Sequence, residues 1–498
     1  MYKDGRLTIT DWQKGQALSP FLGFATMRNC EVFDNPGIVK IAKQMEKDPY
    51  YNFAPQGMPI KRLKASNGDD FLLVTDILSG LTSTSLYKNG VFLTTILASS
   101  GNTDTAYDMV EYKEYIIVST NANLFAYGIN TLRITQNWKV LSGLYAGYYM
   151  KMLVGQDDIL YIANGNNLAT ISNFVAGTSG TDPTATLSTS ALDLPAGQFA
   201  TTIVELGRNI LIGTQGGTSW AQIGNQRVAN IYPWDRTSAS FSLPVQIQEN
   251  GIHAMLQVNN KVYVVAGTAG NVYVTDGTSY QKIGRIPWSQ DRNISNSIRV
   301  FPNAIATNVN NNLIIGVSSG AGTQDQLGIY EIALSEGYPI CLKNTPEGYT
   351  LGSDLQIGFL TTSNQGQTYV GYGVSGTYDL DYTLFNAYVG YKAVIESPLY
   401  NVGNSTNKKT FQHGEFLLSK PLTFQHQIRI SYRKDTESDY VVIGTYTFSD
   451  LGSKRSHLFT PHIADAENLQ IKIELDQNEY TSPNPTNWDL ELISISLW

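Results

Sequence analysis

Polar turns and short apolar runs alternate through the middle of this chain with a period between 44 and 55 residues. The clearest copy is NNKVYVVAGT at 259–268. Its relatives are NGDDFLLVTD (67–76), KEYIIVSTN (113–121), QDDILYIANG (156–165), GRNILIGTQG (207–216), NNNLIIGVSS (310–319) and QGQTYVGYGV (365–374). With Phe71, Tyr115, Ile159, Ile210, Val262, Leu313 and Thr368 as equivalent anchors, successive spacings are 44, 44, 51, 52, 51 and 55 residues. One buried strand per period of this length predicts small four-stranded sheets that cannot bury their faces alone and so stack as propeller blades. The rest of the period agrees. GIHAMLQV (251–258) alternates before its turn, and NVYVTDGTSYQKIGRIPW (271–288) supplies two more strands around a hairpin at Asp276-Gly277, where glycine accepts the positive φ of a tight turn. The expectation is an all-β chain with a seven-bladed propeller over 59–396; six or eight blades are allowed because the first and last repeats are the faintest.

Both flanks depart from the repeat. Residues 1–58 read as an extended N-terminal arm, with a turn at Asp34-Asn35-Pro36-Gly37 that proline and glycine preset. The segment IVKIAKQMEK after it suits a strand or a short helix. Phe21, Phe24, Val32, Ile38 and Ile41 are too few to form a core, so they are expected to dock on something: a neighbouring protein, or the propeller's own ring. AGTSGTDPTATLSTSALDLPAGQ (176–198) is polar enough to read as a long surface loop. Beyond 397–410 the alternating runs lose the period, and 405–498 is expected to form a C-terminal β-sandwich.

Composition narrows the chemistry. Forty-four glycines, thirty tyrosines and 15% charged residues suit a turn-rich β protein. A net charge of −8 without a Lys/Arg cluster argues against sequence-specific nucleic-acid binding. Cys30 and Cys341 make neither a disulfide framework nor a metal spacing and read as ordinary thiols. The opening MYKDGRLTIT lacks an apolar signal core, and no run of 18 apolar residues occurs, so synthesis in a cytoplasm without a signal peptide or membrane span is expected. The histidines (His253, His413, His426, His457, His462) form no ligand pair, NGDD and QDD read as turns rather than calcium loops, and no phosphate loop or nucleophile elbow occurs. No metal or cofactor is expected.

Two enzyme-like signals fail on their residues. GRIPW (284–288) carries the Arg-Ile-Pro triplet of sialidase-type propellers, and SNQGQTY (363–369) is faintly similar to their aspartate box. The triplet falls in the fifth period, and the box lacks its aspartate. No catalytic residue is therefore assigned. A third signal is positional. PWDRTS (233–238) and PWSQDRNIS (287–295) recur about one period apart, so Trp138, Trp234 and Trp288 with Arg236 and Arg292 form a candidate interaction face on one rim. The same tryptophans suit covering the outer strand of each blade, and their tie to the repeat tips the reading that way.

LSPFLGFATMRNCEVFDNPGIVKI (18–41) resembles the opening of propeller-type structural proteins of tailed bacteriophages, and NKKTFQHGEFLLSKPLTFQHQIRISYRKD with YVVIGTYTFSD (407–450) is similar to the sandwich that follows such propellers. The resemblance implies a non-enzymatic virion component of the tail, a hub, tip or peripheral piece, present in multiple symmetric copies and docked to other tail proteins through its arm and sandwich. The alternative from another class is a carbohydrate-binding adhesin on the same tail, with a host surface glycan as partner; a glycan-cleaving propeller enzyme fits less well.

Overall fold

Each apolar run of the repeat folds as the second strand of an antiparallel unit, a separate four-stranded sheet in every case but the sixth, which is part of an eleven-stranded sheet. These strands are Asp70–Thr75, Tyr115–Thr120, Leu160–Asn164, Asn209–Gly216, Lys261–Ala266, Leu313–Ala321 and Thr368–Val374. The computed structural model describes all residues except 1, 4, 18–23, 36, 52–56, 76–83, 98–104, 121–122, 141–149, 217–228, 288–296, 322–325, 336, 351–352, 384–391, 405, 436 and 478–489. Each second strand pairs on both sides, so its β-branched and aromatic residues are covered by flanking strands and by neighbouring sheets. Tyr115–Thr120 and Asn123–Gly128, for example, are buried at every position, as expected of an apolar run without alternation.

The first strands of the seven sheets are Met58–Lys64, Ala106–Tyr112, Met152–Val154, Gln198–Leu206, Ile252–Val258, the split pair Ser297–Arg299 and Ile305–Thr307, and Leu355–Thr362. Neighbouring first strands touch one another in this order, and Leu355–Thr362 of the seventh sheet touches Met58–Lys64 of the first. The chain is all-β apart from the short helix Phe448–Leu451 and two single turns of 3-10 helix, Trp12–Lys14 and Pro49–Tyr51, among the described residues.

The stretch expected to be a loop at 176–198 contains a ten-residue strand. Thr184–Asp193 is the fourth strand of the third sheet, paired with Asn167–Val175. Its Thr/Ser/Ala alternation leaves one face in solvent and the other half-buried, which is what an outermost strand needs and what composition alone does not separate from a loop. The short remainder folds back on the second sheet, where Arg133 pairs with Asp182 at 2.6 Å and the Trp138 indole donates to the Pro183 carbonyl at 2.7 Å.

The arm departs further from expectation. Met45–Lys47 is the fourth strand of the seventh sheet, with Lys47, Glu46 and Met45 opposite Asp381, Tyr382 and Thr383; the helical option for this segment is overturned. Upstream, Arg6–Ile9 and Val39–Ile41 both pair with the C-terminal strand Glu491–Leu497. Thr26–Arg28 lies between Ile340–Asn344 of the sixth sheet and Lys392–Glu396, joining the sixth sheet to the C-terminal layer Lys392–Glu396, Asn468–Gln477, His426–Lys434 and Val441–Thr447. The C-terminal module thus contains the arm and Lys392–Glu396 as well as the expected 405–498. Its core mixes Leu7, Ile9, Trp12, Phe24, Val32 and Ile41 with Phe416, Ile473, Leu492 and Ile495. Phe24, Val32 and Ile41 are buried and Ile38 half-buried inside their own chain rather than held out as a docking arm; Phe21 lies outside the described residues. Cys30 and Cys341 are free and buried in this seam, where burial pushes both thiols up.

Candidate functional site

Polar side chains that interrupt the apolar first strands converge at two places. Lys61 on Met58–Lys64, Asp108 on Ala106–Tyr112, Lys151 just before Met152–Val154 and Asn303 just before Ile305–Thr307 meet where the first strands approach one another. Asp108 is wholly buried. Its carboxylate lies 3.6 Å from the Lys61 Nζ and 3.4 Å from the Lys151 Nζ, and accepts the Met152 N–H at 2.9 Å. Both ammoniums donate to Asn303 Oδ1, Lys61 at 3.4 Å, while Asn303 Nδ2 donates to the Ile60 carbonyl at 3.1 Å. Burial pushes Lys151 down to about 8 against the pull of Asp108. Burial acts to raise the Asp108 carboxyl, but the ammoniums of Lys151 and Lys61 overcome it and hold the group below its ordinary value. One cluster thereby ties the first, second, third and sixth sheets together.

The second place is a groove of about 940 Å³ between the first and seventh sheets, beside the arm strand. Its floor is built on Arg62, whose guanidinium binds Asp70 through Nε at 2.9 Å and Nη2 at 2.6 Å, also pairs with Asp48, and lies 4.1 Å over the Tyr369 ring. One wall is the hairpin Ser363–Gln367 with Asn364 and Gln365 exposed at its tip; the other carries Ser66 and Asn89. Tyr50 stands at the mouth with 71% of its surface exposed. Its backbone is fixed nonetheless. The Tyr50 N–H donates to Asp48 Oδ1 at 2.9 Å, and the Asp48 N–H donates to the Leu380 carbonyl at 2.8 Å. From the first sheet Gly90, at φ +78°, packs so closely that a β-carbon there would overlap the Tyr50 carbonyl oxygen.

Behind the groove, Asp381 on Thr377–Thr383 accepts from the Glu347 N–H at 2.7 Å and the Tyr372 hydroxyl at 3.2 Å. Burial raises its carboxyl to about 7. A carboxyl raised in the fold is protonated there while the unfolded chain, near its ordinary 3.8, has already lost the proton, so the unfolded state binds fewer protons and stability falls as pH rises. We expect a decline of a few kcal/mol, on the order of what a shift of this size carries, between about pH 4 and pH 7. Asp381→Asn should flatten that slope in urea melts at pH 5 and pH 7.5; an unchanged slope assigns the decline to other groups.

The tryptophan face does not form as an exposed surface. Trp138 and Trp234 are buried, the first against Phe174 and the second edge-on to Tyr161 with its indole donating to the Ser238 carbonyl at 2.8 Å. Arg236 pairs with Asp157 at 3.2 Å and with Glu205, between the third and fourth sheets. Trp138 lies on the fourth strand of its sheet and Trp234 on the third strand of the next but one. Trp288 and Arg292 lie outside the described residues. Arg285, of the Arg-Ile-Pro triplet, ends the outer strand Tyr280–Arg285 and donates to the Ala269 carbonyl at 3.1 Å. His253 is buried, accepts the Val300 N–H at Nδ1 at 3.2 Å, and is pushed by burial down to about 3. Among the described residues no group of three or more His, Cys, Asp or Glu could hold a metal ion, and no helix is long and apolar enough to cross a membrane.

Successive four-stranded meanders whose first strands adjoin define a propeller-type fold. No family model matches the chain, and no curated protein does. Among solved structures it is similar to the extracellular domain of a hybrid two-component system from B. thetaiotaomicron, at 15% identity and TM-score 0.44, covering 81% of this chain and 46% of that one. It is also similar to the Dos1 propeller, at 13% identity and TM-score 0.40 over 70% of this chain and 95% of that one. A third is a glycoside hydrolase family 43 arabinoxylan arabinofuranohydrolase from Bacillus subtilis, at 11% identity and TM-score 0.31 over 89% and 95%. Likenesses this distant carry no argument about function.

Proposed function

We propose that the seven sheets are the blades of a closed seven-bladed propeller, and that the chain is a non-catalytic virion structural protein of a bacteriophage tail, docked to other tail proteins through its C-terminal module. The resemblance of 18–41 and 407–450 to tail propeller proteins motivates the tail. One observation carries the docking role. Val441–Thr447 and Ser456–Phe459 are the end strands of their sheets among the described residues, and they expose Val441, Val442 and Leu458; Phe424, packed on Phe448 just past the end of Val441–Thr447, is 84% exposed. Unpaired strand edges with apolar side chains are surfaces that a partner strand or partner core completes. The non-catalytic part is supported by Arg285 and the 363–369 hairpin, which serve backbone and turn roles, and by the Asp108 cluster, whose carboxylate and lysines pair with one another. The expected result is that an antibody to this chain decorates the tails of particles from the phage that encodes it, and that Phe424→Asp with Leu458→Asp yields a folded protein that no longer enters particles. Absence from purified particles overturns the tail assignment, and normal incorporation of the double variant overturns the docking surface.

A further inference from the structure

We propose that the groove between the first and seventh sheets is an oligosaccharide-binding site, with the apolar face of a sugar ring on Tyr50 and its hydroxyls on Asn364 and Gln365. The proposal stands apart from the tail assignment and does not need it. An exposed tyrosine ring is common on protein surfaces, but the backbone of this one abuts Gly90 of the first sheet and is anchored through Asp48 to Leu380 of the seventh. That arrangement lowers the ordering cost a ligand has to meet. A sugar presents alternating C–H faces and hydroxyls that both donate and accept. Side-chain amides also do both, and the hairpin tip offers two of them, exposed, on the wall opposite Asn89. The groove is large enough for a short oligosaccharide, since small-molecule sites span roughly 300–1,000 Å³.

Charge separates this occupant from the others. Arg62 is the obvious anion-binding group, but Asp70 and Asp48 already engage it, leaving only Lys64 against a phosphate backbone. A peptide adding as a strand would need free backbone groups, whereas Leu355–Thr362 and Thr368–Val374 are paired with each other along the groove. Hydroxyl-rich neutral ligands remain the best match to the lining.

The test uses the full chain, labelled and applied to an array of neutral and acidic oligosaccharides that includes bacterial surface polysaccharides. Retention of at least one neutral glycan is expected. Tyr50→Ala should weaken it by roughly tenfold, the scale of losing one well-placed aromatic contact, and Tyr50→Phe should keep it. Asn364→Ala with Gln365→Ala, in an exposed turn, should weaken it without moving the melting temperature. No glycan retained, retention equal in Tyr50→Ala, or retention of polyanions alone that depends on Lys64 would each overturn the site, whatever the tail experiments show.

Discussion

Removal of residues 1–47 is expected to leave no soluble folded protein. The segment contributes nine buried side chains to the C-terminal core, Leu7, Ile9, Trp12, Phe24, Met27, Cys30, Val32, Val39 and Ile41. At about 1.5–3 kcal/mol for each large apolar side chain, their loss matches or exceeds the roughly 5–15 kcal/mol that typically separates folded from unfolded chains. It also strips partners from three places in the sheets. Asp381, Tyr382 and Thr383 lose Met45–Lys47, Glu491–Leu497 loses Arg6–Ile9, and the sixth sheet loses the strand that joins it to Lys392–Glu396. The Trp12 indole, which donates to the Ile493 carbonyl at 2.7 Å, goes with them. Soluble yield, gel filtration and far-ultraviolet circular dichroism measure the outcome. A monodisperse β-rich product would mean that the arm is an appendage after all.

The repeat was legible because buried second strands are short, continuous and β-branched, and because a chain that returns to the same position every blade writes a period into its sequence. The arm was not legible, for a related reason. Its strands are two to four residues long, four of the six pair with segments hundreds of residues away, and no local pattern names a partner at that distance. Phe24 and Ile41 need cover on their apolarity alone, and the surface that covers them is the core of the C-terminal module. Thr184–Asp193 was missed because polarity outweighed its alternation. The tryptophans were ambiguous for a different reason: a recurrent Trp beside Arg suits a binding rim and a covered strand alike, and the burial of Trp138 and Trp234 decides between them. The sites that emerged had a sequence signal of their own. Lys61 and Asp108 place a charge next to the buried residues of their strands, MPIKRLK and AYDMVEY. A charge at such a position has to find a partner, but which partner depends on how the sheets face one another. Tyr50 carried no signal, because its setting depends on Gly90 and Leu380.

Asp108→Asn should lower stability by about 3–5 kcal/mol, the usual result of removing one member of a buried ion pair while its partners stay behind. Asparagine keeps the size of the side chain and an acceptor for the Met152 N–H, so what is lost is the negative charge facing Lys61 and Lys151. The loss should depend on pH. Lys151 is held near 8 with Asp108 present, and falls further without it. A lysine whose folded value lies below its unfolded one costs stability while it is charged, and that cost fades as pH rises from the folded value toward the ordinary value of about 10.4. Urea melts of Asp108→Asn should therefore show stability climbing from about pH 7.5 to pH 9.5 more than the unmodified chain does. The double variant Asp108→Asn, Lys151→Met isolates the coupling. Taking both charges out of the buried cluster should recover part of the loss, whereas a double variant damaged by the sum of the single effects would show that Asp108 acts through its backbone contacts and not through the lysines.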